Sequence, residues 1–130
     1  MTDGRPSPDR LARGQLARRQ GRRGEWVAVI WLLLHGWRIV GFRVRTPQGE
    51  IDLLARRGRV LAVVEVKRRR TLEEALSALG PVQQQRLLRA AAGLAAQRAA
   101  WRDLDVRLDL VALAPGRWPV HVPDAWRGEG

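Results

Sequence analysis

The chain has 130 residues with a formal net charge of +11, a 45% hydrophobic share and no cysteine. That length suits one domain with one core, and the hydrophobic share argues against wholesale disorder. The absence of cysteine excludes disulfides and thiolate-bound zinc and suits a reducing cytosol. The longest apolar run, "WVAVIWLLL" at 26–34, is shorter than the ~20 residues that span a bilayer, and the N-terminus lacks an apolar signal core. We therefore expect a cytoplasmic protein without membrane contact.

The basic excess predicts a polyanionic partner, with nucleic acid as the leading candidate. Biased codon usage is the alternative explanation, because all but one of the basic residues are arginine. The exception is Lys67. A lysine kept in an arginine-rich chain suggests a position where a compact ammonium is needed and a guanidinium does not serve.

The first elements in chain order are a tail and a helix. Residues 1–10 predict a flexible tail ahead of one domain at 11–127. A helix is predicted over about 24–34, ended by Gly36. Its predicted core-facing stripe follows helical spacing: Val27, Ile30, Trp31 and Leu34. Most of the six tryptophans, Trp31 above all, are expected in the core.

Three strands are predicted next. Residues 37–45 alternate as a first strand. A hairpin follows, with arms "EIDLLAR" and "RVLAVVEVK" and its turn at Arg57 and Gly58. The second arm is apolar on both faces, which is typical of a central strand covered on two sides.

Two helices and a late strand complete the chain. Thr71 and Glu74 fit a capping box at the start of a short helix, and Pro81 suits the first turn of a longer helix. A strand is predicted over 105–113, followed by an extended piece whose prolines limit further pairing. The order α-β-β-β-α-α-β predicts an α/β domain with a central mixed sheet of four to five strands flanked by helices.

The hairpin carries three charges that are costly to bury without partners: Asp52, Glu65 and Lys67. Glu65 and Lys67 share a strand face, and Asp52 should lie opposite positions 63–65, within ~5 to 8 Å. Two adjacent carboxylates need a cation, which is either Lys67 in an interior salt bridge or a divalent metal. Mg²⁺ or Mn²⁺ beside a lysine suits phosphodiester hydrolysis.

The spacing D-x12-E-x-K across this hairpin resembles the PD-(D/E)xK nuclease signature. The wider stretch 21–127, with "GEID", "VEVK" and "ALSALGPVQQQRLLRAA", closely resembles the YraN-like family of uncharacterised bacterial proteins. That family is similar to Holliday-junction resolvases. The resemblance implies a restriction-endonuclease-like core and a nuclease-type site.

The resemblance also implies site residues. Asp52, Glu65 and the backbone carbonyl of Val66 would hold the metal, Glu25 would assist through a water, and Lys67 would position water or stabilise the transition state. The catalytic set is therefore Glu25, Asp52, Glu65 and Lys67.

Ile51 replaces the proline of the signature, as is usual in this branch. Two further positions depart from the family: Arg43 stands where an asparagine is common, and glutamines at 83–85 replace a lysine that many relatives carry. The last two changes concern substrate contacts.

The nucleic-acid-binding candidates are arginines near the motif: Arg22, Arg23, Arg45, Arg68, Arg69 and Arg70. The alternative for the last three is a solvated strand end, and for Glu25 a carboxylate favoured by the helix dipole. Glu50 is expected to be solvated or structural. His35 and His121 are not spaced as ligands and receive no role.

The sequence thus predicts a divalent-metal-dependent nuclease acting on DNA, with branched or single-stranded DNA as candidate substrates. The alternatives are a non-catalytic nucleic-acid-binding module that keeps the fold, and a basic protein that binds another polyanion such as structured RNA. A homodimer is suggested only by analogy with resolvases.

Overall fold

The structure, a computed structural model, describes residues 24–125. The predictions for the tail at 1–10 and for Arg22 and Arg23 concern positions outside this range, as does Trp126, one of the six tryptophans. Within it the elements, in chain order, are α1 (24–34), β1 (Arg38–Thr46), β2 (Gly49–Arg57), β3 (Val60–Arg68), α2 (Leu72–Ser77), α3 (Pro81–Gln97), a 3₁₀ turn (Ala99–Trp101), β4 (Asp105–Leu113) and β5 (Val120–Val122).

The five strands form one mixed sheet in the order β1-β2-β3-β4-β5. β3 and β4 are parallel and are connected through α2 and α3, whereas the other neighbours are antiparallel. The predicted α/β fold with a central mixed sheet is confirmed. Although prolines flank β5, this strand does pair with β4, over three residues.

Helices cover both faces of the central strand, as its apolar sequence predicts. Leu61 and Val63 pack in the cluster that includes α3, and Ala62 and Val64 pack in the cluster that includes α1. All four side chains are fully buried. The centre of the sheet is therefore a rigid base for the charged residues that follow on β3. No helix in the described part of the chain is long and apolar enough to cross a membrane.

The predicted core-facing stripe of α1 is wrong. The buried residues of this helix are Ala28, Val29 and Leu32, whereas Ile30 and Leu34 are 55% and 77% exposed. The predicted position of Val27 in the core is wrong as well, since this side chain is 43% exposed. Residues 26–34 are apolar all round the helix, so spacing alone could not identify the face that packs on the sheet.

The tryptophans also differ from expectation. Trp37 and Trp101 are buried, Trp31 is half-buried, and Trp26 and Trp118 are 59% and 84% exposed. An indole carries a large apolar area, so its exposure at two positions leaves that area in contact with water.

Two local signals in the sequence set the end of α1 and the turn between β2 and β3. α1 ends in a Schellman motif, in which the amide of Trp37 donates to the carbonyl of Leu32 and Gly36 adopts a φ of 84°. The hairpin turn falls one residue later than predicted, because Arg57 pairs with Val60 and leaves Gly58 and Arg59 as the turn.

Candidate functional site

The candidate site begins where β2 stops pairing with β3. The backbone ladder between these strands runs from Arg57 and Val60 to Leu53 and Val64. Asp52 lies next to Leu53 on the side away from the turn, and its Oδ2 accepts a hydrogen bond of 3.0 Å from the backbone N–H of Val66. A carboxylate thus takes the role of a backbone acceptor, and this fixes Asp52 beside the carboxyl end of β3.

Glu65 and Lys67 follow on β3, on one side of the strand. Lys67 Nζ lies 3.2 Å from Glu65 Oε1, and the two side chains are only 15% and 8% exposed. The structure therefore brings Asp52, Glu65 and Lys67 together as the hairpin register predicts. Their roles in binding or catalysis stay predictions.

The two carboxylates are protonated more easily than isolated ones. Burial, and then the neighbouring charge of Asp52, raise the pKa of Glu65 to about 7 despite the opposing effect of Lys67. Burial also raises the pKa of Asp52, although the Val66 amide acts in the opposite direction. Near neutral pH, Lys67 therefore balances the negative charge of the two carboxylates only in part.

Glu25 borders the same site from α1. Its Oε2 accepts a hydrogen bond of 3.0 Å from Arg43 Nε, and only 10% of its side chain is exposed. Burial raises the pKa of Glu25, partly offset by Arg43. Arg43 has a φ of 50°, in the left-handed region that asparagine adopts more readily. This backbone gives a physical reason why an asparagine, which the family resemblance implies at this position, would fit here.

A cavity of about 770 Å³ joins these groups. Its lining includes all four predicted catalytic residues, and also Val66 and the three consecutive arginines of the motif's end: Glu25, Asp52, Glu65, Val66, Lys67, Arg68, Arg69 and Arg70. Each of these three arginines is exposed. A polyanion lying along this rim would therefore meet arginine before it reaches the buried carboxylates.

The remaining predicted contacts lie apart from this cavity. Arg45 is exposed on β1 opposite Glu50, and neither residue lines the cavity. Among residues 24–125, no three Asp, Glu, His or Cys side chains form a group that could hold a metal. Glu25 shares the cavity with Asp52 and Glu65 but is bonded to Arg43 and does not form such a group with them.

The sequence interpretation missed a second charged cluster, centred on Asp109 in β4. This side chain is fully buried and accepts from Arg107 Nε and Nη2 at 2.8 and 3.1 Å, and from the amide of Asp124 at 3.0 Å. His121 Nε2 on β5 lies 2.7 Å away. Burial alone would raise the pKa of Asp109, but the hydrogen bonds from His121, Arg107 and Asp124 together lower it.

The Asp109 cluster joins β4 to β5 and does not line the candidate site. The signal for it in the sequence is an aspartate in the middle of an apolar strand, since a carboxylate there requires partners. His121 thus has a structural bond, where spacing along the chain gave it no role.

Residues 24–113, from the first described residue to the end of β4, match the uncharacterised protein family UPF0102. The chain belongs to this family. The match confirms the YraN-like resemblance and spans the four predicted catalytic residues.

Curated relatives extend the UPF0102 match over most of the chain. A UPF0102 protein of Caulobacter vibrioides strain NA1000 is 63% identical over 119 residues, which are 92% of this chain and 95% of the relative. Those of Parvibaculum lavamentivorans and Mesorhizobium japonicum are 53% and 48% identical, over 89% and 95% of this chain and 87% and 96% of the relatives. These names state family membership and no activity.

Proposed function

We propose that this protein is a divalent-metal-dependent nuclease that hydrolyses phosphodiester bonds in DNA. The observation that carries the proposal is the convergence of Asp52, Glu65 and Lys67 in one cavity rimmed by exposed arginines. A salt bridge alone would account for one carboxylate and one ammonium. The Val66 amide accounts for Asp52 structurally, but neither contact explains why a second carboxylate, Glu65, is buried beside it at the cost of a raised pKa.

The donor set fits a hard divalent cation. Asp52 and Glu65 supply carboxylate oxygens, and Mg²⁺ sites commonly use one or two carboxylates with water and substrate phosphate oxygens completing the octahedron. The resemblance adds the backbone carbonyl of Val66. A bound Mg²⁺ or Mn²⁺ would neutralise phosphate charge and make water a better nucleophile. This coordination needs no third carboxylate, so it is compatible with the bond between Glu25 and Arg43.

The protein's own groups have separate roles in this proposal. Lys67 directs an ammonium into the cavity, where it can donate to a phosphate oxygen or hold the attacking water. Arg68, Arg69 and Arg70 bind phosphates beside the scissile bond and position the strand. Glu25, released from Arg43 or bridged through water, adds an acceptor for the same water.

A non-catalytic nucleic-acid-binding module is the second candidate. The observation that favours it is the Arg43–Glu25 ion pair, which occupies a carboxylate that related sites use. In that case the cavity and its arginines bind a phosphate backbone without hydrolysing it, and structured RNA is an alternative ligand.

Cleavage assays separate the two candidates. The protein is incubated with single-stranded, duplex and four-way-junction DNA in Mg²⁺, Mn²⁺ or EDTA, beside Glu65→Gln and Lys67→Met variants. We expect metal-dependent cleavage that each substitution lowers by at least about a hundredfold, since each removes a group from the reacting centre.

Glu73→Gln is the matched control, because Glu73 is an exposed acid on α2 that does not line the cavity. This variant should cleave like the unchanged protein. Cleavage that survives in both site variants, or none on any DNA, would refute the nuclease proposal. Salt-sensitive binding without cleavage would support the module, and stronger competition by RNA would identify RNA as its ligand.

A further inference from the structure

α1 presents a second apolar face that the described protein does not cover. Trp26, Ile30, Leu33 and Leu34 are 59%, 55%, 55% and 77% exposed, and Val27 is 43% exposed. At 100° per residue these five side chains lie together, opposite the residues packed on the sheet. No charged or polar side chain occurs within 26–34. A helix that is apolar all round is normally buried on all sides.

The apolar surface continues from the helix onto β1. Phe42 is 43% exposed, and its ring centroid lies 6.4 Å from that of Trp26. We define the α1 outer face as these side chains: Trp26, Val27, Ile30, Leu33, Leu34 and Phe42. Six large side chains, each between 43% and 77% exposed, present an apolar area on the order of 600 Å². This equals the largest patches found on typical monomers, and such patches are often functional.

We propose that the α1 outer face is the contact between two copies of this chain. The two α1 helices would pack against each other around Ile30, with Phe42 of each copy at the edge. A stable interface of standard size buries about 800 Å² on each partner, so the apolar face provides most of one side and its rim the rest. In a twofold dimer one patch meets itself, and an uncharged patch does so without like-charge repulsion.

The distribution of charge around α1 argues against nucleic acid or a membrane as the partner of this face. Nucleic acid is attracted by arginine, and the α1 outer face has none. A helix lying on a membrane carries basic residues on its other side, whereas the other side of α1 holds Ala28, Val29 and Leu32 against the sheet. Residues 1–23 contain seven arginines and only Leu11 and Leu16 as large aliphatic side chains besides Met1, too few to cover six exposed ones.

The proposed contact also borders the candidate site. Glu25 immediately precedes Trp26, and Arg43 immediately follows Phe42, so the two residues of this ion pair adjoin the α1 outer face along the chain. The dimer itself does not depend on nuclease activity, and its test measures no cleavage.

Sedimentation equilibrium on the full chain tests the proposal. We expect a mass of twice 14.7 kDa, and we expect Ile30→Asp to raise the dimer dissociation constant at least about tenfold. Val82→Asp is the matched control, because Val82 is 71% exposed on α3 and lies outside the face. Circular dichroism checks that both variants fold. A monomeric wild type at about 100 µM, or an Ile30→Asp variant that associates like wild type, would overturn the proposal.

Cross-linking keeps the test independent of that charged substitution. The chain has no cysteine, so Ile30→Cys introduces a single thiol at the proposed centre. Mild oxidation should join two copies through this residue and should not join copies of Val82→Cys. Equal cross-linking of both variants contradicts the contact. Capture of a monomer by anionic phospholipid vesicles, in place of dimer formation, would identify a membrane surface as the occupant and overturn the proposal.

Discussion

Replacing Glu65 by glutamine should make the metal-free protein more stable at high pH. The carboxyl group has a pKa of about 7 in the folded protein against an ordinary value of 4.5. The folded state holds the proton on Glu65 more tightly than the unfolded state does. This proton therefore stabilises the folded state fully below pH 4.5, and the stabilisation is lost as the pH rises through 7. At 1.36 kcal/mol per pKa unit, the loss is about 3 kcal/mol. Glutamine resembles the protonated form and does not titrate.

Urea unfolding in EDTA at pH 5 and pH 8 measures this effect. The two proteins should differ little at pH 5, whereas at pH 8 Glu65→Gln should be the more stable by up to about 3 kcal/mol. Glu25 remains in both proteins, so its raised pKa cancels to first order, whereas Asp52 interacts directly with Glu65 and its pKa changes with the substitution, so the difference between the proteins reports on the pair. Parallel pH profiles, or a wild type that is the more stable at pH 8, would refute the reasoning.

The same experiment with metal tests the cofactor without an activity assay. A divalent cation replaces the proton between the carboxylates, so Mn²⁺ in place of EDTA should stabilise wild type more at pH 8 than at pH 5. Glu65→Gln should lose most of this gain. An equal effect of Mn²⁺ on both proteins would show that the ion binds elsewhere.

Two further substitutions test contacts outside the carboxylate pair. Asp109→Asn should lower the free energy of unfolding by about 3 kcal/mol, because it leaves the half-buried donors of Arg107 and His121 without the charge of their fully buried partner. The exposed Asp105→Asn is its control, and urea unfolding that fails to separate the two would contradict a structural role for the cluster. Arg43→Asn should be more stable than Arg43→Ala by about 1 kcal/mol, since both lose the bond to Glu25 but asparagine tolerates the left-handed backbone. Equal stability in thermal unfolding would remove that explanation.

The sheet and the central part of the site could be predicted because they depend on short-range rules. Alternation with a period of two identifies the hairpin, and the tight turn then fixes which residues face each other. A turn placed one residue too early still left Asp52 opposite the predicted positions, near Glu65 and Lys67. Local geometry tolerates that error because all three charges lie at the same end of the hairpin.

Other features depend on information that the local sequence does not carry. The packed face of α1 could not be found from a helix whose two faces are equally apolar. The bond between Arg43 and Glu25 occurs at a backbone irregularity in β1 that alternation does not reveal. Asp109 and His121 meet only because β5 pairs with β4, and flanking prolines argued against that pairing.

The hydrogen bond from the Val66 amide gives Asp52 a structural role that Glu65 lacks. Loss of Asp52 would leave a strand amide without its acceptor, so the architecture of the sheet gives this aspartate a reason to persist even in a chain without chemistry. In the described structure the carboxylate of Glu65 receives no backbone hydrogen bond, and burial disfavours its charged form at neutral pH. A lineage that no longer needed the site would be free to replace Glu65 while keeping Asp52. Among relatives, glutamate at this position is therefore the better marker of a working site.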